Sequence, residues 1–196
     1  IGHLPLAFIN PGNVVLIPDP GYPVYKTGTI FAGGTPYPMP LLEKNDFLPE
    51  FRKIPSKILK KIKLVFINYP NNPTSATATK KFFAEIVRFA KKYNIIVAHD
   101  AAYSEIYFND LNPPISFLSI DGAKDIGIEF HSLSKTYNMT GWRCGWVCGN
   151  EQIVKALGKV KDNYDSGVFS AIQYAGVVAL TSSQDCVEKN RKIYRE

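Results

Sequence analysis

Residues 64–98 read LVFINYPNNPTSATATKKFFAEIVRFAKKYNIIVA, and this stretch predicts a strand, a helix and a second strand. The apolar runs Leu64–Asn68 and Ile95–Ala98 are typical of short buried strands. Between them, Lys80–Tyr93 carries apolar residues at the spacing of an amphipathic helix: Phe82, Phe83, Ile86, Val87 and Ala90. A strand-helix-strand unit of this kind joins parallel strands through a right-handed crossover. The stretch therefore predicts an α/β fold.

The sequence on either side extends this alternation of strands and helices. Before the unit, two predicted strands flank a helix that opens in the proline-rich turn DPGYPVY and ends near Gly33 and Gly34. After it come two more strands and three helices. The further predicted strands are Val14–Ile17, Thr35–Met39, Gly127–His131 and Gly145–Cys148, and the late helices cover 151–164, 170–180 and 185–196. We expect a mostly parallel mixed sheet flanked by helices.

Composition excludes several classes of protein. The 196 residues are 45% hydrophobic and 20% charged, which is ordinary for a soluble globular domain. The formal net charge of +6 comes with lysine clusters that indicate solvated faces, without an arginine-rich arm or basic-aromatic pattern. No apolar run approaches the ~20 residues needed to cross a bilayer. We therefore expect neither a nucleic acid nor a membrane as partner.

The cysteines and histidines show no pattern of a metal site or a disulfide framework. The three cysteines are Cys144, Cys148 and Cys186, an odd number without C-x-x-C spacing. The three histidines also lack the spacing of metal ligands. We expect buried free thiols in a reducing cytoplasm, and no bound metal.

Polar side chains follow three of the predicted strands at the point where each strand ends. In parallel α/β sheets, ligands bind beyond the carboxyl ends of the strands. Amides follow the first strand, a carboxylate and a phenol follow the second, and hydroxyls and an amine follow the third: Asn71, Asn72, Asp100, Tyr103, Ser132, Ser134 and Lys135. The convergence of these groups on one sheet edge predicts a ligand site there.

The stretch SLSKTYNMTGWRCGW, residues 132–146, indicates which ligand this edge would take. Lys135 supplies an amine, and lysine is the side chain that condenses with aldehydes. Arg143 and the neighbouring serine hydroxyls are suited to a phosphate dianion. A small molecule with both an aldehyde and a phosphate is pyridoxal 5'-phosphate (PLP).

Four motifs in order carry a family resemblance. DPGYPVY (19–25), NYPNNPTSA (68–76), HDAAYSEI (99–106) and SLSKTYNMTGWRCGW (132–146) resemble the fold type I PLP-dependent aminotransferases of class I/II. Within that family the chain is most similar to the aspartate/alanine and LL-diaminopimelate aminotransferase subgroup, from Ile1 to about Leu180. The resemblance implies an enzyme that moves an amino group between an L-amino acid and a 2-oxo acid. It also implies a homodimer for the full protein.

The resemblance assigns roles around the cofactor ring. Lys135 would bind PLP as a Schiff base and then act as the base that moves the substrate proton. Asp100 would pair with the pyridinium nitrogen and keep it protonated, which makes the ring an electron sink. Asn72 and Tyr103 would donate hydrogen bonds to the ring oxygen. Tyr22 would stack on the ring face, with ordinary core packing as the alternative.

At the other end of the cofactor, Ser132, Ser134 and Arg143 would hold the phosphate. The sequence departs from the family pattern at two nearby positions. Family members often have Gly where Ser75 stands, and a polar or acidic residue where Ala101 stands. Neither position is expected to take part in the chemistry, although loop geometry at Ser75 would change.

The resemblance also implies that the chain is part of a longer protein. Chains of this family are about twice as long, so residues 1–196 would be the PLP-binding large domain. An N-terminal segment and a C-terminal small domain would be absent, together with the arginine that binds the substrate α-carboxylate. Arg191 and Arg195 lie on a polar helix at the end of the chain, and we do not assign that role to either.

Three alternatives stand beside the aminotransferase hypothesis. The same cofactor constellation serves β-C–S lyases and 1-aminocyclopropane-1-carboxylate synthases, because PLP supplies the electron sink in each. A non-catalytic domain on this fold is the second alternative, against which the presence of Lys135, Asp100 and Arg143 together argues. A nucleotide-binding α/β domain is excluded because neither G-x-G-x-x-G nor G-x-x-x-x-G-K-[ST] occurs.

Overall fold

The computed structural model describes residues 1–196, and a six-stranded sheet forms its centre. The strands are β1 (Val14–Asp19), β2 (Thr35–Pro40), β3 (Ile62–Asn68), β4 (Ile96–Asp100), β5 (Gly127–Ser132) and β6 (Gly145–Gly149). They lie in the order β2-β1-β3-β4-β5-β6. All neighbours are parallel except β5 and β6, which are antiparallel. The predicted mostly parallel mixed sheet is confirmed.

Eight α-helices flank or follow the sheet. They are α1 (Leu4–Phe8), α2 (Pro23–Phe31), α3 (Ser56–Leu59), α4 (Lys80–Tyr93), α5 (Leu133–Thr136), α6 (Glu151–Tyr164), α7 (Ser170–Thr181) and α8 (Asp185–Arg195). None of them is long and apolar enough to cross a membrane.

The helix α4 has the bounds that its apolar spacing predicts. The Thr79 hydroxyl caps its N-terminus by accepting a hydrogen bond from the Phe82 amide at 3.2 Å. Asn94 ends it in the left-handed conformation, with φ of 54°. The predicted apolar face is buried against the sheet. Local signals at both ends and along one face therefore agree, which is why this helix could be predicted residue by residue.

Two hydrophobic clusters cover the two faces of the sheet. Successive side chains of a strand point to opposite faces. In β3, Val65 and Ile67 therefore belong to the cluster under α4, while Leu64 and Phe66 belong to the cluster under α1, α2 and α6. Burial on both faces explains why β3 is a continuous apolar run rather than an alternating one. The strand ends are thereby fixed in a rigid frame.

The edge strand β6 approaches β5 closely. Gly145 pairs with Ser132, and a Cβ at Gly145 would lie 2.6 Å from the carbonyl oxygen of His131. Glycine at this position therefore allows the backbone that follows Arg143 to return beside the β5 end.

The cysteines differ in part from expectation. All three are free, but Cys148 and Cys186 are exposed and Cys144 is half-buried, so the prediction of buried thiols is wrong for the first two and not met in full by the third. Cys148 alternates with Val147 on the edge strand, where one face meets solvent. No group of three or more His, Cys, Asp or Glu side chains is arranged to hold a metal ion.

Candidate active site

A cavity of about 620 Å³ opens beyond the carboxyl ends of β3, β4 and β5. The eight residues to which the resemblance gives a role lie on its wall: Tyr22, Asn72, Asp100, Tyr103, Ser132, Ser134, Lys135 and Arg143. Asn71, which the strand-end pattern also placed at the site, does not line the cavity, because its side chain is buried and its Oδ1 accepts hydrogen bonds from the amide and hydroxyl of Thr74. Side chains up to 121 positions apart in the sequence are thus brought together. The structure meets the geometric requirement of the predicted site, while the role of each residue stays a prediction.

Asp100 lies at the bottom of this cavity as the last residue of β4 and is 6% exposed. Burial raises the pKa of Asp100, because a carboxylate is poorly solvated there. Hydrogen bonds from Tyr25 and from the Ala102 amide act to lower the pKa, but burial outweighs them. None of the ion pairs in the chain includes Asp100. The site therefore presents a buried carboxylate suited to a cationic ligand group.

Tyr25 supports Asp100, a role that the sequence analysis missed. Its ring packs in the core, stacked on Phe66 with 4.9 Å between ring centres. Its hydroxyl donates a hydrogen bond of 2.7 Å to Oδ2 of Asp100. The only available signal was the position of Tyr25 one helical turn after Tyr22, which puts both phenols at the start of α2.

Asn68 is a second supporting residue that sequence reasoning did not single out. Its Oδ1 accepts a hydrogen bond from the Asn72 amide at 2.8 Å. Its Nδ2 donates to the carbonyl oxygens of Asp100 at 2.9 Å and of Pro70 at 3.2 Å. Asn68 thereby ties the loop that carries Asn72 to the end of β4. An asparagine at the last position of an apolar strand was the available signal.

Tyr103 and Lys135 face each other across the cavity. Nζ of Lys135 lies 5.8 Å from the centre of the Tyr103 ring. Burial and the nearby Asp100 raise the pKa of Tyr103, while a contact with the Asn72 side chain opposes this. The phenol therefore remains a hydrogen-bond donor at neutral pH. Asn72 and Tyr103 are therefore neighbours on the cavity wall, and their action on one acceptor atom stays a prediction.

The turn from β5 into α5 presents the lysine. The Ser132 hydroxyl caps α5 by accepting a hydrogen bond from the Ser134 amide at 3.1 Å. Because its oxygen accepts from the helix, the Ser132 hydroxyl hydrogen remains available to a ligand. Ser134 is buried, and Lys135 is half-buried in the next position. The cap fixes the direction in which Lys135 leaves the strand end.

Arg143 and Tyr22 complete the rim. Arg143 is exposed, has a left-handed backbone with φ of 55°, and donates from Nη1 to the Thr140 carbonyl at 2.8 Å. Tyr22 is 41% exposed and lies edge-on to Tyr25, with ring centres 5.7 Å apart. The alternative that Tyr22 is a core residue is therefore wrong, because its ring borders the cavity.

Arg191, on the polar helix α8, lies outside this cavity. It is buried, forms ion pairs with Asp110 and Glu188, and stacks over Tyr107 with 3.7 Å between Cζ and the ring centre. Its Nε also donates to the Tyr107 carbonyl at 3.0 Å. The loop that carries Tyr107 and Asp110 covers this position of α8.

Comparison with known proteins agrees with the site. A family model described as "Aminotransferase class I and II" matches residues 1–196. The chain belongs to the class I and II aminotransferases. Members of this family use PLP. The LL-diaminopimelate aminotransferases of Aquifex aeolicus and Desulforudis audaxviator are 60% and 58% identical to it over 196 residues.

Solved structures of aminotransferases share the fold. Substrate-bound BacF from Bacillus subtilis superposes with a TM-score of 0.95 at 42% identity, over 99% of this chain and 49% of that one. An aromatic aminotransferase from Pyrococcus horikoshii gives 0.91 at 33% identity, over 99% and 52%. The two LL-diaminopimelate aminotransferases are covered over 50% of their length. The chain therefore spans about half the length of the relatives it matches, all of it within the fold type I architecture.

The residues present in this aminotransferase chain fit the cofactor of its family. Asp100 is a buried carboxylate whose hydrogen bonds come from neutral donors, which suits a protonated ring nitrogen. Lys135 offers an amine to an aldehyde, and Arg143 with two serine hydroxyls offers donors to a phosphate. A cavity of about 620 Å³ is large enough for a small cofactor with its substrate.

Proposed function

We propose that the full-length protein is a PLP-dependent aminotransferase that moves an amino group between an L-amino acid and a 2-oxo acid. The observation that carries this proposal is the meeting of Lys135, Asp100 and Arg143 on one cavity wall. When bound, PLP supplies the electron sink that accepts the electron pair released at the substrate α-carbon. The chain's own residues bind the cofactor, hold its charges and move one proton.

Lys135 is the residue that we assign to covalent cofactor binding and to proton transfer. The Ser132 cap directs it from the end of β5 toward Tyr103, so its amine stays over the cavity. When not bonded to the cofactor, the Lys135 amine would share the cavity with the substrate carbon. A positioned amine of this kind is a general base whose proton moves over a short distance.

Asp100 and Arg143 are assigned to the two charged ends of the cofactor. Asp100 would hold a proton on the ring nitrogen by charge and hydrogen bonding, and Tyr25 fixes the orientation of its carboxylate. Arg143 would bind the phosphate, assisted by Ser132 and Ser134, because a planar guanidinium matches phosphate oxygens. Asn72 and Tyr103 would donate to the ring oxygen, and Tyr22 would stack on the ring.

The names of the relatives support a more specific substrate. Proteins named LL-diaminopimelate aminotransferase are 53% to 60% identical to this chain over nearly all of its length. We therefore propose LL-diaminopimelate as amino donor of the full-length protein, 2-oxoglutarate as acceptor, and amino-acid biosynthesis in the cytoplasm as its setting. Residues 1–196 would then be the cofactor-binding large domain of the longer chain.

The proposed homodimer has support in the exposed face of α7. Tyr174, Val177 and Val178 are each more than half exposed there. An apolar helix face of this kind is unusual on a free surface and typical of an interface. Light scattering of the full-length protein would test the proposal, since a monomer at micromolar concentration contradicts it.

An amino-donor panel tests the function. The full-length protein, loaded with PLP, should form glutamate from 2-oxoglutarate with LL-diaminopimelate faster than with alanine or aspartate. Lys135→Ala should remove this turnover, whereas Lys159→Ala, on the outer part of α6, should not. Alanine or aspartate as best donor would contradict the substrate proposal. Elimination of a cysteine conjugate without amino transfer would contradict the reaction type.

A further inference from the structure

A chain of buried polar side chains lies behind the cavity, on the sheet face opposite Asp100. His99 and Glu129 are 1% and 2% exposed and sit opposite each other on β4 and β5. Nδ1 of His99 lies 2.9 Å from Oε2 of Glu129, and Nε2 lies 3.0 Å from the Tyr69 carbonyl oxygen. The proposed reaction uses none of these groups directly.

The partners of Glu129 fix its charge. Its oxygens accept hydrogen bonds from the Ser116 hydroxyl at 2.9 Å, from the Phe117 amide at 2.8 Å and from Nε2 of His131 at 2.9 Å. Burial acts to raise the pKa of Glu129, but the hydrogen bonds from the two histidines and Ser116 outweigh it and hold the pKa well below the usual range. Glu129 is therefore an ionised carboxylate, which can only accept hydrogen bonds.

The protonation state of His99 follows from its two acceptors. A backbone carbonyl cannot donate, so Nε2 must carry a hydrogen to bond to Tyr69. An ionised Glu129 cannot donate either, so Nδ1 must carry a hydrogen as well. A neutral imidazole has one hydrogen for its two nitrogens. Only the doubly protonated cation satisfies both contacts, and removal of that proton would leave a buried acceptor facing an acceptor.

We propose that His99 is held as an imidazolium cation between Tyr69 and Glu129 and acts as a positioning residue that keeps Asp100 ionised. The inference rests on the proposed function, in which Asp100 must be an anion to hold the protonated ring nitrogen. His99 precedes Asp100 in β4, and its positive charge lowers the pKa of Asp100 against the effect of burial. A positive charge at His99 on one face of β4 thus favours the anionic state of Asp100 on the other face.

Few titratable groups and two apolar rings surround His99. The titratable groups that face it are Glu129, His131 beyond Glu129, and Asp100 next along the strand. The helix α4 and the turn before β5 contribute apolar rings, Phe83 at 5.2 Å and Phe117 at 6.2 Å between ring centres. The counter-charge next to His99 is Glu129, and burial of both side chains keeps water from screening the imidazolium as it would at a surface.

The same contacts join the strand ends that carry the site. The Tyr69 carbonyl belongs to the turn that leads to Asn72, and Glu129 precedes Ser132 by three positions in β5. Beyond Glu129, His131 stacks on Trp146 of β6, with ring centres 5.2 Å apart. The buried ion pair of His99 and Glu129 therefore connects the ends of β3, β4 and β5 below the cavity. Through His131 and Trp146 these contacts continue to β6.

Neutron diffraction of a deuterated crystal of the full-length protein tests the charge directly. We expect deuterium on both Nδ1 and Nε2 of His99, with none on the Glu129 carboxylate, at pH 7.5. One deuterium on His99, or a deuterated Glu129, would overturn the proposal. The measurement needs no cofactor and no substitution, so it remains decisive if a variant fails to fold.

Infrared spectroscopy of the cofactor-free protein tests the effect on Asp100. The carboxylic-acid band that Asp100→Asn abolishes reports the pH at which Asp100 is half-protonated. His99→Gln should raise the proton affinity of Asp100 by about tenfold. Ser116→Ala removes a hydrogen bond to Glu129 without changing a charge and should leave the titration unmoved. Equal titrations of wild type and His99→Gln, or an equal shift in Ser116→Ala, would overturn the proposed role.

The proposed function and the proposed role of His99 can fail separately. If wild-type protein binds no PLP, the proposed function fails, but the deuterium positions on His99 and the infrared titration still stand. If PLP binds at Lys135 and His99 carries one deuterium, the function stands and the role of His99 is wrong.

Discussion

Tyr25→Phe isolates the hydrogen bond that supports Asp100. The substitution keeps the ring that stacks on Phe66 and removes only the hydroxyl, which donates at 2.7 Å to the carboxylate. A hydrogen bond to a charged group contributes about 1.5–3 kcal/mol to stability, against about 0.5–1.5 kcal/mol for a neutral pair. We expect the free energy of unfolding at pH 8 to fall by about 2 kcal/mol.

Tyr69→Phe is the matched control for this substitution. Tyr69 is also a buried tyrosine, and its hydroxyl donates at 2.8 Å to the Phe47 carbonyl, a neutral acceptor. Its loss should cost about 1 kcal/mol and should not depend on pH between 5 and 8. Equilibrium urea unfolding of the cofactor-free full-length protein measures both variants.

The pH dependence separates the two tyrosines because Asp100 titrates. Its pKa is raised in the folded state, so the folded protein binds this proton more tightly than the unfolded chain does. Stability from the protonated carboxyl is fully present below pH 3.8, the ordinary value, and is lost as pH rises through the folded pKa. Tyr25 offsets part of that loss, so Tyr25→Phe should cost most at high pH and least at low pH. Equal costs for Tyr25→Phe and Tyr69→Phe at pH 8 would refute this reasoning.

Three further substitutions test the loop, the ring nitrogen contact and the phosphate contact. Ser75 has φ of 62°, a backbone conformation that favours glycine. Ser75→Gly should therefore raise the free energy of unfolding by about 0.5–1 kcal/mol, and Ser75→Ala should not. A lower melting temperature of the glycine variant would contradict this. Asp100→Asn should lower turnover by about 100-fold or more. It should not lower stability at pH 8, because it removes a buried charge. Unchanged turnover would refute the proposed role of Asp100. Arg143→Ala should weaken PLP affinity by about 10- to 100-fold in a fluorescence titration, with partial recovery in Arg143→Lys, and equal affinity would remove Arg143 from the site.

Helices and strands whose apolar spacing and end residues lie close together in the sequence could be predicted. The helix α4 has its apolar face, its cap and its end residue within 16 positions, and the structure reproduces its bounds. The end of β4 was placed two residues early, at Ala98, because pairing of Asp100 with Phe130 on β5 extends the strand. That pairing depends on a residue 30 positions away, which no local pattern contains.

The site could be predicted as a set, but its supporting contacts could not. The strand-end rule and the four motifs place Asn72, Asp100 and Lys135 at one edge without any distance being known. The contact between Tyr25 and Asp100 joins residues 75 positions apart, and the buried position of Arg191 depends on a loop 81 positions away. Such contacts follow from how the helices pack on the sheet, and a residue's own neighbours in sequence do not report them.

The most direct test of the account is the site of covalent cofactor attachment. The full-length protein should be incubated with PLP, reduced with borohydride and digested, and the modified peptide identified by mass spectrometry. Two lysines lie on the cavity wall, Lys135 and Lys161. We expect one cofactor per chain, attached to Lys135, and no stoichiometric adduct in Lys135→Ala. An adduct on Lys161 or elsewhere, or none in the wild-type protein, would contradict it.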